Sequence, residues 1–252
     1  MQALRVEQDG DLLRVTMARP ERRNAFDAEL IAELTEAFGA VGDEVRAVLL
    51  AGEGKSFSAG ADVDWMRSSI ELSYEENVAD ARRLRKMLET IDSCPAPVVA
   101  RVHGHALGGG CGLVACADIA IAAPDVLFSF AEVKLGIIPA VISPFALAKI
   151  GGAHARRYFV TGERFDAATA LRIGLIHEVA DDPDAAVARI VAELRTAGRE
   201  AARQAKKLVL ERPDGLGTER RIAQRRTSEE GQEGLRAFLE KRDPSWASRS
   251  SS

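Results

Sequence analysis

The stretch His103-Gly-His-Ala-Leu-Gly-Gly-Gly-Cys-Gly112 is followed, past an apolar run, by Phe130-Ala-Glu132. Gly108 to Gly110 leave the backbone nearly bare at the point where a helix is expected to begin over Cys111–Ala117. Unshielded N–H groups at a helix start can hold an oxyanion, and a carboxylate close by can move protons beside it. The stretch is not a phosphate loop, because no Lys-Ser or Lys-Thr follows its last glycine, and its spacing is not that of a dinucleotide fingerprint. Tight packing of a helix on a strand is the plainer reading of the same glycines.

Outward from that turn, the chain alternates short apolar runs with helical patterns. Leu12–Ala18, Arg46–Ala51, Val98–Val102 and Ile119–Ala122 read as strands. Helices are expected over Ala28–Phe38 and Tyr74–Asp92, the second stopped by Pro95 and Pro97. Such alternation implies βαβ units and a mostly parallel sheet, an α/β fold. From Ser143 onward the signals are helical: Phe145–Ile150, His154–Phe159, Ala167–Ile173, Pro183–Thr196, Ala201–Leu210 and Thr218–Leu239. The Ser-rich tail Trp246–Ser252 is expected to fray.

With 252 residues, 46% of them hydrophobic and 29% charged, the chain can bury a full core as one α/β domain with a helical appendage. A net charge of −4 argues against a nucleic-acid partner. Arg220, Arg221, Arg225 and Arg226 read as a solvated helix face. The three cysteines, Cys94, Cys111 and Cys116, lack metal-ligand spacing; their odd number points to free thiols, and no metal is expected. The segment Met1–Gln8 lacks a hydrophobic targeting core, and no apolar run reaches the ~20 residues of a membrane span, so a cytoplasmic location is expected.

Two further candidates stand beside the glycine turn. Phe57-Ser-Ala-Gly-Ala-Asp62 follows a strand and precedes a helix start at Val63-Asp-Trp-Met66, and its small residues would let a ligand reach the N–H of Ala61. Glu132 sits in an apolar setting, where a carboxylate either pairs with a cation such as Lys134 or has its proton affinity raised for catalysis. His103 and His105 flank Gly104 as possible proton carriers, although packed or hydrogen-bonded roles are commoner for such histidines.

Taken in order, Arg19–Phe26, Ser58–Asp62, Gly104–Asp118, Phe128–Pro139, Thr161–Ala167 and Glu233–Arg242 resemble the enoyl-CoA hydratase/isomerase (crotonase) superfamily over nearly the whole chain. The resemblance implies a crotonase-like spiral of ββα units over residues 1–195 and a C-terminal helical trimerisation region over 196–252. It implies a homotrimer or dimer of trimers acting on an acyl-CoA thioester, with no cofactor beyond the coenzyme A that the substrate carries. By position, the N–H groups of Ala61 and Gly109 would form the oxyanion hole for the thioester carbonyl, and Glu132 would carry the proton. Coenzyme A would lie along Ala59, Ala61, Asp62, Val63, Asp64 and Gly109. Arg23 would meet its phosphates, and Phe238 and Lys241 would reach a neighbouring subunit's coenzyme A.

Hydratases of this superfamily use two glutamates. Glu132 matches the second, whereas the first falls at Gly112. Pro139–Phe145 and Ala155–Phe159 look like the methylglutaconyl-CoA and isohexenylglutaconyl-CoA hydratase branch, whose members can carry a small residue in place of the first glutamate. The resemblance thus implies addition or removal of water across C2–C3 of a branched or glutaconyl-type enoyl-CoA. Three alternatives stand beside this. A single base at Glu132 would suffice for Δ3-Δ2-enoyl-CoA isomerisation; dehydration in polyketide β-branching and decarboxylation of a glutaconyl thioester follow the same enolate chemistry; and some relatives bind CoA esters or RNA without catalysis. The acyl pocket is expected to draw its walls from Trp65–Asp80 and the C-terminal helices.

Overall fold

The structure, a computed structural model, describes residues 3–247. Four successive chain turns each run from a long sheet to a short one and then into a helix. In the first, β1 (Leu4–Asp9) and β2 (Leu12–Met17) form an antiparallel hairpin, and Phe26 makes an isolated bridge before α1 (Ala28–Gly39). Asp27 caps that helix, its carboxylate accepting from the Leu30 N–H at 3.0 Å. The second turn carries β3 (Ala47–Gly52), bridging residues Ser58 and Ala61, α2 (Val63–Ser69) and α3 (Tyr74–Asp92). A reciprocal Ser73–Glu76 capping box starts α3.

The third turn is β4 (Val98–Val102), β5 (His105–Leu107) and α4 (Gly109–Cys116). The fourth is β6 (Ile119–Ala122), β7 (Leu127–Ser129), a 3₁₀ turn at Ala131–Leu135 and α5 (Ser143–Thr161). Gly151, at φ 67°, divides α5 into the two helical runs expected from sequence. Next come β8 (Phe165–Asp166), α6 (Ala167–Arg172), β9 (Glu178–Val179) and α7 (Pro183–Thr196). The long sheet has the order β1-β2-β3-β4-β6-β9, parallel from β2 onward, and the short one the order β5-β7-β8. The bridges Phe26–Ala61 and Ser58–Ala106 extend the short sheet into the earlier turns, which completes the expected ββα spiral.

Between the layers lies an apolar core. The central strands β3 and β4 are buried almost throughout, as parallel strands covered on both faces must be. Phe128, Phe130, Tyr158, Phe159 and Phe165 form an aromatic cluster beneath the fourth turn. Cys94, Cys111 and Cys116 are buried free thiols, and burial raises the proton affinity of all three.

The C-terminal helices are α8 (Arg199–Glu211), α9 (Gly215–Thr227) and α10 (Glu229–Glu240). The single helix expected over Thr218–Leu239 is therefore two. Ser228 leaves the helical region at ψ 157° and its hydroxyl accepts the Gly231 N–H, while a Cβ at Gly231 would lie 1.8 Å from the Arg225 carbonyl oxygen. The arginines read as a solvated face are partly engaged: Arg221 pairs with Glu211 and Arg225 with Glu230. The frayed-tail expectation fails at Trp246, whose indole N–H donates to the Thr196 carbonyl at 3.0 Å; residues 248–252 lie outside the described residues, as do Met1 and Gln2. No described helix is long and apolar enough to cross a membrane.

Helix α8 is fastened to the α/β layers by two buried cations. Arg203 donates to Asp43 and to the carbonyls of Gly42 and Val45. Lys206 Nζ meets Asp118 Oδ2 at 2.7 Å, and the same oxygen accepts the Val98 N–H at 2.7 Å. Removing one partner of such a pair leaves the other charge buried and uncompensated. Lys206→Met is expected to lower unfolding stability by about 3 kcal/mol in urea titration, a far larger loss than an exposed surface lysine would give.

Candidate active site

The site begins with main-chain pairing. Phe26 N–H donates to the Gly60 carbonyl at 2.7 Å, and Asp62 N–H donates to the Phe26 carbonyl at 2.8 Å. This parallel pattern uses the groups on either side of Ala61 and turns its own N–H the opposite way. Ser58 N–H donates to the His105 carbonyl and Leu107 N–H to the Ser58 carbonyl, which draws the Ala61 loop against the glycine turn. A Cβ at Gly60 would lie only 3.7 Å from Gly109 N.

The turn itself depends on Gly108, at φ 50°, whose N–H donates to the Ser129 carbonyl at 2.8 Å. Helix α4 starts at Gly109, two residues earlier than expected, so the Gly109 N–H belongs to the first helical turn and has no partner within the helix. Neither it nor the Ala61 N–H meets an acceptor among the described residues. Gly109 also has no room for a side chain, since its Cβ would lie 2.5 Å from the Phe26 ring.

Glu132 lies beside the glycine turn. It lies in the 3₁₀ turn Ala131–Leu135, and its Oε1 is 3.1 Å from where a Gly108 Cβ would be. Its Oε2 is buried and has no hydrogen-bond partner among the described residues, and the possible ion pair with Lys134 is absent. Burial raises the carboxyl's proton affinity, and only a hydrogen bond to its own backbone opposes the shift.

Ala61, Gly109 and Glu132 open together into a cavity of about 380 Å³. Its walls are mostly apolar, built from Trp65, Met66, Leu84, Ile137 and Ile142 among others, with Ser69 and Asn77 as polar exceptions, and no lysine or arginine among the described residues lines it. Position 112 is packed shut. A Cβ on Gly112 would lie 2.6 Å from Ile142 Cγ2 and 3.6 Å from Leu88 Cδ2, so aliphatic side chains close the position to which the resemblance assigns the first glutamate. The cavity's other carboxylate among the described residues, Asp80 on α3, ends the Trp65–Asp80 stretch expected to wall the pocket, but the sequence reading gave it no chemical role. The signal for it was a single acidic residue on the stripe that also contains Met87, Leu88 and Ile91.

The residues expected along coenzyme A are spread more widely. Ala59 and Ala61 line the cavity, whereas Val63 and Asp64 lie outside it on the exposed start of α2. Asp62 caps α2 through the Asp64 and Trp65 N–H groups and pairs with Arg22 at 2.9 Å. Burial works against its charge, but the Arg22 and amide hydrogen bonds outweigh it and hold the carboxyl below its usual range. Arg23 is exposed at φ 53°, and its carbonyl accepts the Ala59 N–H. Phe238 and Lys241 lie far along the chain on the exposed end of α10, outside the cavity. The structure brings neither histidine into the site: His103 bonds the Gly54 carbonyl and Arg101, and His105 bonds Ser56. Among the described residues no cluster suited to a metal ion occurs.

Two measurements probe this arrangement. Gly112→Ala is expected to cost about 1–3 kcal/mol in denaturant unfolding through overpacking, and Ile142→Ala in the same chain to recover part of that loss. Glu132→Gln tests the buried carboxyl. Because its folded proton affinity is raised, the wild type loses stability as pH climbs from the ordinary glutamate value of 4.5 through the raised folded value. Thermal melts should therefore coincide near pH 4 and separate toward pH 8, with the Gln variant melting higher.

Comparison with known proteins identifies the family. The family model described as enoyl-CoA hydratase/isomerase matches residues 7–249. A cyclohexa-1,5-dienecarbonyl-CoA hydratase from Thauera aromatica is 34% identical over 258 aligned positions, covering 97% of this chain and 96% of its own. Among solved structures, an enoyl-CoA hydratase from Shewanella pealeana superposes with TM-score 0.91 at 40% identity, covering 97% of this chain and 96% of its own. Pseudomonas aeruginosa AtuE superposes with TM-score 0.94 at 36% identity, covering 97% and 99%. With relatives of this similarity aligned over almost their full length, the chain belongs to the enoyl-CoA hydratase/isomerase family.

Proposed function

We propose that the protein adds water across, or removes it from, the C2–C3 bond of an enoyl-CoA with a branched, apolar acyl chain. One observation carries this reading: two unengaged main-chain N–H groups and one buried, unpaired carboxyl share a single apolar cavity. The amides of Ala61 and Gly109 receive the thioester oxygen as charge collects on it. One such donor is worth ~3 kcal/mol in the transition state. Glu132 then exchanges the proton at C2. Its proton affinity, raised by burial, favours a carboxyl that holds a proton it can give to C2.

The cavity wall narrows the acyl group. A glutaconyl carboxylate would meet no lysine or arginine there, and it would share the space with Asp80 and Glu132. A branched hydrocarbon chain fits the wall without that cost. The chemistry needs nothing beyond the coenzyme A carried by the substrate. A homotrimer or dimer of trimers is part of the same proposal, supported by exposed apolar side chains on the last helices, Val209, Phe238 and Leu239. Isomerisation of a Δ3-enoyl-CoA is the second reading, and Gly112 favours it because one base suffices.

Both readings meet in one panel assay on crotonyl-CoA, a branched apolar enoyl-CoA, 3-methylglutaconyl-CoA and a Δ3-enoyl-CoA. Formation or loss of the conjugated thioester is followed. The branched apolar ester is expected to turn over fastest, and Glu132→Gln to lower turnover by about 10²–10⁴-fold while leaving acyl-CoA affinity within about twofold. Activity on the Δ3-ester alone would select the isomerase, and near-normal turnover in the variant would remove Glu132 from the mechanism.

A further inference from the structure

We propose that Asp80 supplies the second carboxylate of the site, holding the water that adds to C3; this deepens the hydration reading and rests on it. Asp80 and Glu132 are the two titratable side chains that line the cavity among the described residues. Asp80 is 9% exposed and sits on the buried stripe of α3 with Met87, Leu88 and Ile91, where packing alone calls for a hydrophobe. Its Oδ1 accepts a 2.7 Å hydrogen bond from the Arg83 guanidinium, whose side chain is 59% exposed. Its Oδ2 has no hydrogen-bond partner among the described residues. One oxygen is thus held by a solvent-exposed guanidinium, and the other is unengaged on a side chain that lines the cavity.

The same helix explains why the carboxylate comes from here. Leu88, two turns further along the stripe, packs with Ile142 over Gly112 and closes the route from α4. Any acid that reaches a substrate in this cavity must therefore come from another wall. Ala81 and Leu84 flank Asp80 in the cavity lining and Asn77 lies one turn before it, so a water bound to Oδ2 faces a largely apolar enclosure and an acyl chain.

The step balances as follows. The water oxygen bonds to C3 while one of its protons passes to Asp80. The C2–C3 π pair shifts toward C1, and its charge is held at the thioester oxygen by Ala61 and Gly109. Glu132 then gives its proton to C2 and is left as the carboxylate. Each turnover moves one proton onto Asp80 and one off Glu132, and exchange with water restores both. Dehydration follows the same path in reverse.

The test separates the two carboxylates in the full-length protein. Asp80→Asn and Asp80→Ala are assayed for hydration of the best enoyl-CoA of the panel. In parallel, solvent deuterium exchange at C2 of butyryl-CoA is followed by NMR, since this needs only the amides and Glu132. Hydration kcat is expected to fall about 100-fold or more with KM within about threefold, and exchange to stay within about threefold of wild type. Retained exchange also shows that the variants are folded. Glu132→Gln should lose both activities. Unchanged hydration kcat in the Asp80 variants would overturn the proposal, and so would a rise in KM alone, which would make Asp80 a holder of the acyl chain. If the wild type exchanges C2 but hydrates no ester, the hydration reading itself fails, and the role of Asp80 with it.

Discussion

Everything in the cavity depends on a handful of main-chain hydrogen bonds that join three chain segments edge to edge. Phe26 is paired on both sides of Ala61, Ser58 is paired with His105 and Leu107, and Gly108 is paired with Ser129. These bonds consume the groups that face the layer and leave two amides facing away from it. Polar backbone without a partner is costly inside a protein. Here the cost falls on two N–H groups of residues that line a cavity.

Part of this was legible in the chain. Apolar runs such as Val98–Val102 and Ile119–Ala122 are buried on both faces, so they read as strands without ambiguity. Gly108–Gly110 and Ala59–Ala61 announced close backbone approach, and both lie where small residues had to be. The short strands β5, β7, β8 and β9 were not legible, because two or three residues carry no period. Strand β1 was missed for another reason: five of its six residues are exposed, and its hairpin is set by pairing with β2 rather than by an apolar pattern. The break at Ser228 went unread although Ser228 followed by Glu229 and Glu230 is a helix-start signal.

Asp80 shows the limit at the site. From sequence it is one acid in a charged helix, next to Arg82 and Arg83. Only the packing of α3 against α1 and α4 shows which face is buried and makes this carboxylate exceptional. Glu132 was the opposite case, since its neighbours Phe128, Phe130 and Val133 already described an apolar setting. At Gly112 the missing acid was visible in the sequence, but the Ile142 side chain that fills its place was not.

Asp118 joins parts of the molecule that are far apart along the chain. One of its oxygens serves both the ammonium group of Lys206 on α8 and the first amide of β4. Strand β4 leads within a few residues to β5 and Gly108. Undocking α8 therefore removes the counter-charge from the carboxylate that also pins the root of the glycine turn. Helix α8 and the strand that leads to the glycine turn thus share one carboxylate, which ties hydrogen exchange at Val98 to the seating of a helix more than a hundred positions later in the chain.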